Sequence, residues 1–313
     1  MGLYTARVLQ RLEEHSGRPL RQSFDLIAGT SIGGIIALGL AAGTPAAKIC
    51  SHFCEQGHRI FPSRLDTRFV YARLLKQIFF GASYSPAPLR DAIDAVLGGD
   101  IRIDQLGQRV IVPTVNMTSG APQVFKTPHH PSFVRDGVLS CVDVALATSA
   151  APTFFPLHAI NDQRYADGGL YANSPDFMAL HEANTFLGAP EKIRILSVGT
   201  TTARFSISSR RPLNMGIGGW MKDLLLTRAM IGAQQGVTDF MMKHALGNDY
   251  FRIDEIPSKE QSRDLQLDRA SDAATQCLLG LAEVSSQKAL GIAEIRDWLG
   301  HQAPLQEFTR RVG

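Results

Sequence analysis

Ser23-Phe24-Asp25-Leu26-Ile27-Ala28-Gly29-Thr30-Ser31-Ile32-Gly33-Gly34-Ile35-Ile36-Ala37-Leu38-Gly39-Leu40-Ala41-Ala42 is the stretch whose reading decides the fold. Ser23 to Gly29 is a brief apolar run of strand length, and Ile32 to Ala42 is rich in the small and aliphatic residues of a buried helix. Gly29-x-Ser31-x-Gly33 therefore falls where a strand hands over to a helix, which is the setting of a nucleophile elbow. A serine on so sharp a turn is strained, and residues without side chains beside it avoid clashes between strand and helix. Gly33 and Gly34 suit that need. A helix opening there aims free N–H groups and the positive end of its dipole at a developing oxyanion. The same glycines would also serve a close strand–helix crossing or a phosphate cradle, although the spacing is not G-x-G-x-x-G and the P-loop lysine is missing.

Outward from the elbow, Leu3, Val8, Leu9 and Leu12 recur at helical spacing and predict an amphipathic helix over residues 3–14, stopped by Gly17-Arg18-Pro19. Residues 44–97 read mostly as helix, broken at Phe61-Pro62, at Gly81 and at Ser85-Pro86-Ala87-Pro88. Strands are expected over 110–116 and 123–127 around a Ser-Gly turn, over 192–198 and over 250–253. Residues 141–149 predict a helix ended by Ala150-Ala151-Pro152, and the chain is mainly helical from Trp220 onward. Strands separated by helices indicate a three-layer α/β architecture.

Composition narrows the function. The 313 residues are 44% hydrophobic and 19% charged, enough to bury a full core without metal or disulfide. The excess of 32 Lys and Arg over 29 Asp and Glu, +3, is too small for a dedicated binder of a nucleic-acid polymer. Four cysteines make no disulfide framework. The longest apolar stretch, Ile32 to Gly43, falls short of the roughly 20 residues that span a bilayer. The N-terminal residues lack the basic, apolar and cleavage regions of a secretion signal, so a cytoplasmic protein is expected.

A serine hydroxyl needs a base, and Tyr165-Ala166-Asp167-Gly168-Gly169-Leu170 offers a carboxylate on a tight loop, with Gly168 and Gly169 letting the backbone turn. Taken alone it reads first as a plain Asp-Gly turn. Three segments in order, the elbow at 29–34, Ala147-Thr148-Ser149-Ala150-Ala151-Pro152-Thr153-Phe154-Phe155-Pro156, and Asp167-Gly168-Gly169 followed by Asn173 and Pro175, resemble the patatin-like phospholipases. The resemblance covers roughly the first 200 residues. It implies a three-layer fold with a central, mostly parallel sheet flanked by helices, in one domain over 1–313 whose segment 203–313 is helical completion with regulatory or dimer contacts. It implies a lipid acyl hydrolase with Ser31 as nucleophile, Asp167 as general base and neither metal nor cofactor. The substrate would be a membrane phospholipid met at the inner surface of the bilayer. The elbow is also similar to that of bacterial members that act in antiphage defence and are switched on by cyclic dinucleotides, which implies such an activator and places its pocket in the C-terminal half.

The family pattern begins with a strand leading into Asp-Gly-Gly-Gly-x-x-Gly, whose N–H groups form the oxyanion hole; only Gly2 matches its last glycine, leaving Gly2 and Ile32 as donors. A chain that starts at Met1 is then expected to be a poor catalyst, by about 10²–10³ for each missing donor, and to leave a neighbouring strand edge uncovered. From this follows the alternative of a catalytically silent binding or regulatory protein on the same scaffold.

Other signals weigh less. Cys50, Cys54 and His58 share a helix face as three potential zinc ligands, but helical cysteines usually pack as small hydrophobes. His129-His130 reads as a solvated loop with no acidic partner. A Ser–His–acid triad would draw on His181, His244 or His301. Met215, Met221, Met230, Met241 and Met242 with Trp220 and Phe240 read first as core; the other reading is an apolar rim at a bilayer, with Lys222 and Arg228 near lipid phosphates. Arg204, Arg210 and Arg211 read as solvated charges.

Overall fold

The computed structural model describes residues 2–60, 82–201, 206–209, 211–221, 224–258, 260–265 and 271–308. The expected breaks at Phe61-Pro62 and Gly81, together with Arg204, Arg210 and Lys222, lie outside them. Helices α1 (Gly2–Ser16), α2 (Ile32–Ala42) and α3 (Ala46–Ile60) frame the first strand, β1 (Leu26–Ala28). Next come α4 (Ala87–Leu97), the hairpin β2 (Arg109–Asn116) and β3 (Ala121–Lys126), and α5 (Cys141–Thr148). A second hairpin, β4 (His158–Ile160) and β5 (Gln163–Asp167), leads into a single turn α6 (Gly169–Ala172) and then α7 (Asp176–Phe186). The remainder includes β6 (Ile195–Val198), α8 (Ile217–Met221), α9 (Leu225–Leu246), β7 (Tyr250–Ile253), α10 (Asp272–Leu290) and α11 (Ala293–Gly300).

The local chemistry accounts for these boundaries. Gly43 takes a left-handed φ of 96° and, with Thr44, returns N–H groups to Leu40 and Gly39, closing α2. Ser140 caps α5 by accepting from the amides of Val142 and Asp143.

The three-layer α/β class is what the chain adopts. The main five-stranded sheet is mixed rather than mostly parallel, with β1–β2 parallel and β2–β3, β2–β5 and β4–β5 antiparallel, while β6 and β7 form a separate parallel pair. For β2–β3 and β4–β5 the reason is local, because short turns at residues 117–120 and 161–162 join these successive strands, and such turns can only make antiparallel pairs. Val110 and Val112 face a layer built from α2, α4 and α5, in one cluster with Ile35, Leu38, Ile93 and Val144. Ile111 faces the opposite way, toward Phe177 and Met178 of α7. Leu278, Leu281, Ile295 and Trp298 of the C-terminal helices join the same cluster as Tyr4, Val8 and Leu12 of α1.

Strand β2 organises the sheet. Ile111 pairs with both Ala28 and Lys126, and Thr114 with both Asp167 and Gln123. A strand has two edges, so β3 occupies one of them and β1 and β5 share the other, end to end. Because β1 runs with β2 and β5 against it, their C-terminal ends point at each other across Val112 and Pro113. Gly29 N–H donates to Ile111 O, so odd-numbered residues turn their polar groups to this shared edge. Pro113 therefore falls in the gap between two strand ends, where no ladder donor is needed.

Among the described residues, β1 has no strand partner opposite β2 and β6 none opposite β7. A cavity of about 1100 Å³ lies against both, from Leu26–Ala28 to Ile195–Val198. No helix of the described residues is long and apolar enough to cross a membrane.

Candidate active site

Ser31 sits between β1 and α2 with φ 55° and ψ −126°, a conformation that costs a non-glycine residue of order 1–3 kcal/mol and persists only where its surroundings impose it. Three hydrogen bonds do so. Ser31 N–H donates to Thr148 Oγ1 at 3.0 Å, and the Thr148 hydroxyl donates to Pro113 O at 2.6 Å. Thr30 Oγ1 donates to Ala172 O at 2.6 Å, tying the elbow to α6. The turn also explains its glycines unequally. A Cβ on Gly29 would lie 2.1 Å from Gly33 O, and one on Gly34 2.8 Å from the Thr148 methyl, whereas one on Gly33 would meet nothing within 4 Å. Gly29 and Gly34 are therefore the residues that need to be small; the steric role expected of Gly33 is not found, because its Cα points into open space.

Asp167 is the last residue of β5 rather than part of a loop, and its place is set by pairing with Thr114. Its N–H donates to Ala150 O at 3.0 Å. Beyond it, Gly168 is pressed against β2: a Cβ there would lie 2.2 Å from Pro113 O. A Cβ on Gly169 would come within 3.0 Å of Asp167 Oδ1, a milder crowding.

The two strand ends bring the two side chains together. Ser31 Oγ donates to Asp167 Oδ2 at 2.6 Å, and Gly169 N–H donates to Asp167 Oδ1 at 2.7 Å. Burial pushes the Asp167 carboxyl up to about 6, since removing it from water disfavours the charged form; the bonds from Ser31 and Gly169 pull only partly the other way. A carboxylate so placed is a better base toward a hydroxyl than a free aspartate. Ile32, first residue of α2, presents an N–H without an intrahelical acceptor. Gly2 packs against Ile32, leaving no room for a side chain there.

Both Ser31 and Asp167 line the large cavity. So do groups that the sequence did not single out for the site. The buried hydroxyl of Ser149 has no hydrogen-bond partner among the described residues and lies on the cavity wall beside the dyad's supporting helix. Farther along the wall, the Arg252 guanidinium is held by Asp254 at 2.8 Å, Ser197 Oγ at 2.9 Å and Ser174 Oγ at 3.1 Å. The one sequence signal for it was the polar Arg252 inside an otherwise apolar strand.

The other sequence candidates are dispersed. His181 contacts Thr185, His244 packs at a tilt against Phe240 and His301 bonds Asp25, so none of the three reaches Ser31 or Asp167. Cys50 packs in the core, burial holding its thiol up at about 12, while His58 turns to Asp272. Two expectations are overturned. His129 is not in a solvated loop: its side chain is buried, with Nδ1 against Thr127 Oγ1 and Nε2 2.9 Å from Glu182, an acid supplied by α7 from far along the chain. The same Glu182 takes Lys126 Nζ at 2.5 Å. The methionine-rich segment is not core either: Met242 is buried, but Trp220, Met221, Met230, Phe240 and Met241 are exposed.

Comparison with known proteins accords with this site. The family model described as patatin-like phospholipase matches residues 1–180, which contain the elbow, Thr148 and Asp167. A protein of Pseudomonas aeruginosa (strain BWHPSA011 / Pa011) named cGAMP-activated phospholipase is 44% identical over 312 residues, covering 98% of this chain and 91% of its own. Proteins of the same name from Escherichia coli (strain TW11681) and Vibrio cholerae are each 37% identical. The first alignment covers 87% of this chain and 80% of the relative, the second 91% and 86%.

Proposed function

The chain belongs to the patatin-like phospholipase family, and on that premise we propose that it hydrolyses the fatty-acyl esters of membrane phospholipids through Ser31 and Asp167. Control by a cyclic dinucleotide is part of the reading, supported by the names of its relatives. The observation that carries it is the 2.6 Å hydrogen bond from a strained serine to a buried aspartate whose carboxyl is pushed up to about 6.

In this mechanism Ser31 Oγ attacks the ester carbonyl carbon while its proton passes to Asp167 Oδ2. The negative charge on the carbonyl oxygen is met by the Ile32 N–H at the start of α2, with the Gly2 backbone beside it. Collapse of the tetrahedral intermediate breaks the ester C–O bond, and Asp167 returns the proton to the departing lysophospholipid alkoxide. A water then attacks the acyl-enzyme, giving its proton to Asp167. A second collapse releases the fatty acid and restores the Ser31 hydroxyl. Asp167 is used in each half of the cycle as base and then acid, for which a value near 6 is suited. Metal and cofactor have no step in this sequence. The protein acts as one domain at the membrane surface, with residues 203–313 completing the fold and supplying the regulatory contacts.

The test is fatty-acid release from mixed phospholipid vesicles, with and without a panel of cyclic dinucleotides, using Ser31→Ala as control. Release that requires both Ser31 and a nucleotide is expected. Release that survives Ser31→Ala, or a folded protein silent under every condition, would overturn the reading.

A further inference from the structure

Helix α9 has two faces, only one of which is covered by other elements among the described residues. Its inner face carries buried Met242 and half-buried Ile231 and Gln234; the Gln234 amide donates to Leu170 O at 2.9 Å and accepts from Asn173 N–H at 3.3 Å, fixing the helix beside the Asp167 loop. At about 100° per residue, Leu226, Met230, Val237, Phe240 and Met241 fall in one stripe on the outer face. These five side chains are 41 to 64% exposed. The neighbouring α8 adds Ile217, Trp220 and Met221, also exposed. A contiguous apolar surface of this kind marks a docking site rather than scattered exposed residues.

We propose that this α8–α9 face seats the protein on the surface of a phospholipid bilayer. The proposal rests on the reading that the substrate is a bilayer lipid. Two observations favour a lipid surface over a protein partner. First, the stripe is continuous with the site: Met230 belongs to it and also lines the cavity that holds Ser31. Laying the stripe in the interface therefore brings the Met230 wall of the cavity against the lipid. Second, the stripe presents no uncompensated acid to an anionic membrane: exposed Lys243 borders it, and the one acid on α9, Asp239, is tied to Lys243 at 2.8 Å. Trp220, amphipathic and part-exposed, is the residue type that favours the headgroup level. An in-plane helix with an apolar stripe and a lysine at its border suits interfacial binding.

The experiment is flotation with vesicles of phosphatidylethanolamine and phosphatidylglycerol, with and without cyclic GMP–AMP, using Ser31→Ala protein so that binding is read without turnover. Adding Val237→Gln with Phe240→Gln should weaken vesicle binding roughly 100-fold, the loss expected for two large apolar side chains that no longer leave water. The neutral replacements exclude simple charge repulsion, and the exposed positions should leave thermal unfolding unchanged. In the Ser31-containing protein the same pair should leave hydrolysis of a water-soluble short-chain ester intact while vesicle-lipid hydrolysis falls. Flotation unaffected by the pair, or no flotation of the parent under either condition, would overturn the proposal. So would a change from dimer to monomer on sedimentation without loss of flotation, which would assign the face to a second copy of the chain. Flotation by the stripe in a protein that hydrolyses nothing would instead overturn the hydrolase reading and leave the docking surface standing.

Discussion

Replacing Asp167 by asparagine should stabilise the folded protein while abolishing turnover. The carboxyl is buried and its folded value is raised to about 6, against an ordinary value of 3.8. The folded state therefore binds this proton more tightly than the unfolded chain. Stability is highest where both states are protonated, falls as pH rises from about 4 to about 6, and is flat above that. Holding the carboxylate charged in its dry site costs roughly 3 kcal/mol at neutral pH. Asparagine removes the charge and keeps the geometry: its oxygen can accept from Gly169 N–H, and its amide can donate to Ser31 Oγ. Urea unfolding followed by far-ultraviolet circular dichroism should thus place Asp167→Asn about 3 kcal/mol above the parent at neutral pH, shrinking to about 1 kcal/mol near pH 4.5. An asparagine variant less stable than the parent at neutral pH would refute this reasoning, as would a difference that ignores pH. Either result would mean that the aspartate is held by attraction rather than against desolvation.

The same carboxyl sets the acid limb of catalysis. With Asp167 as base, kcat/KM on a soluble ester should fall tenfold per pH unit below about 6, and a limb near 4 would remove Asp167 from that role. At the elbow, Gly29→Ala should cost about 1–3 kcal/mol or more and most of the activity, because its Cβ meets Gly33 backbone. Gly33→Ala, with open space around its Cβ, should leave both near the parent, and thermal unfolding of the pair decides the matter. Glu182→Ala strands Lys126 and His129 in a buried setting and should cost about 3–5 kcal/mol at neutral pH. Burial would raise the Glu182 carboxyl, but His129 and Lys126 outweigh it and hold it below its ordinary value. That deficit should therefore fade in acid, as the parent's own glutamate is protonated on passing below the ordinary carboxyl range. A pH-independent deficit would point to packing alone.

What was legible in the sequence was what depends on neighbours in the chain. The helix over Ile32–Ala42 and the strand over Tyr250–Ile253 appear at the expected residues, because composition and periodicity act within one element. The serine–aspartate pair was legible only through three motifs taken together, since the contact depends on where β1 and β5 fall along β2. The hairpin at 158–167 carries weak patterning and was missed, which is why Asp167 was expected in a loop. His129 read as solvated because its partner Glu182 lies on another element. The exposed methionines read as core because hydrophobicity reports a preference to leave water, and a membrane satisfies that preference as well as a protein interior.

The end-to-end meeting of β1 and β5 has a consequence for how such a chain can diverge. The reach from Ser31 to Asp167 is fixed by the two positions of β2 that separate the paired residues Ile111 and Thr114, although the two side chains are 136 residues apart in sequence. Insertions in the turns and helices of that interval leave the reach untouched, so those segments are free to change length and acquire new surfaces. A single residue added between Val112 and Pro113 would shift one half of the dyad past the other. Tolerance to insertion should therefore be lowest in a two-residue window of β2 that holds neither reacting group.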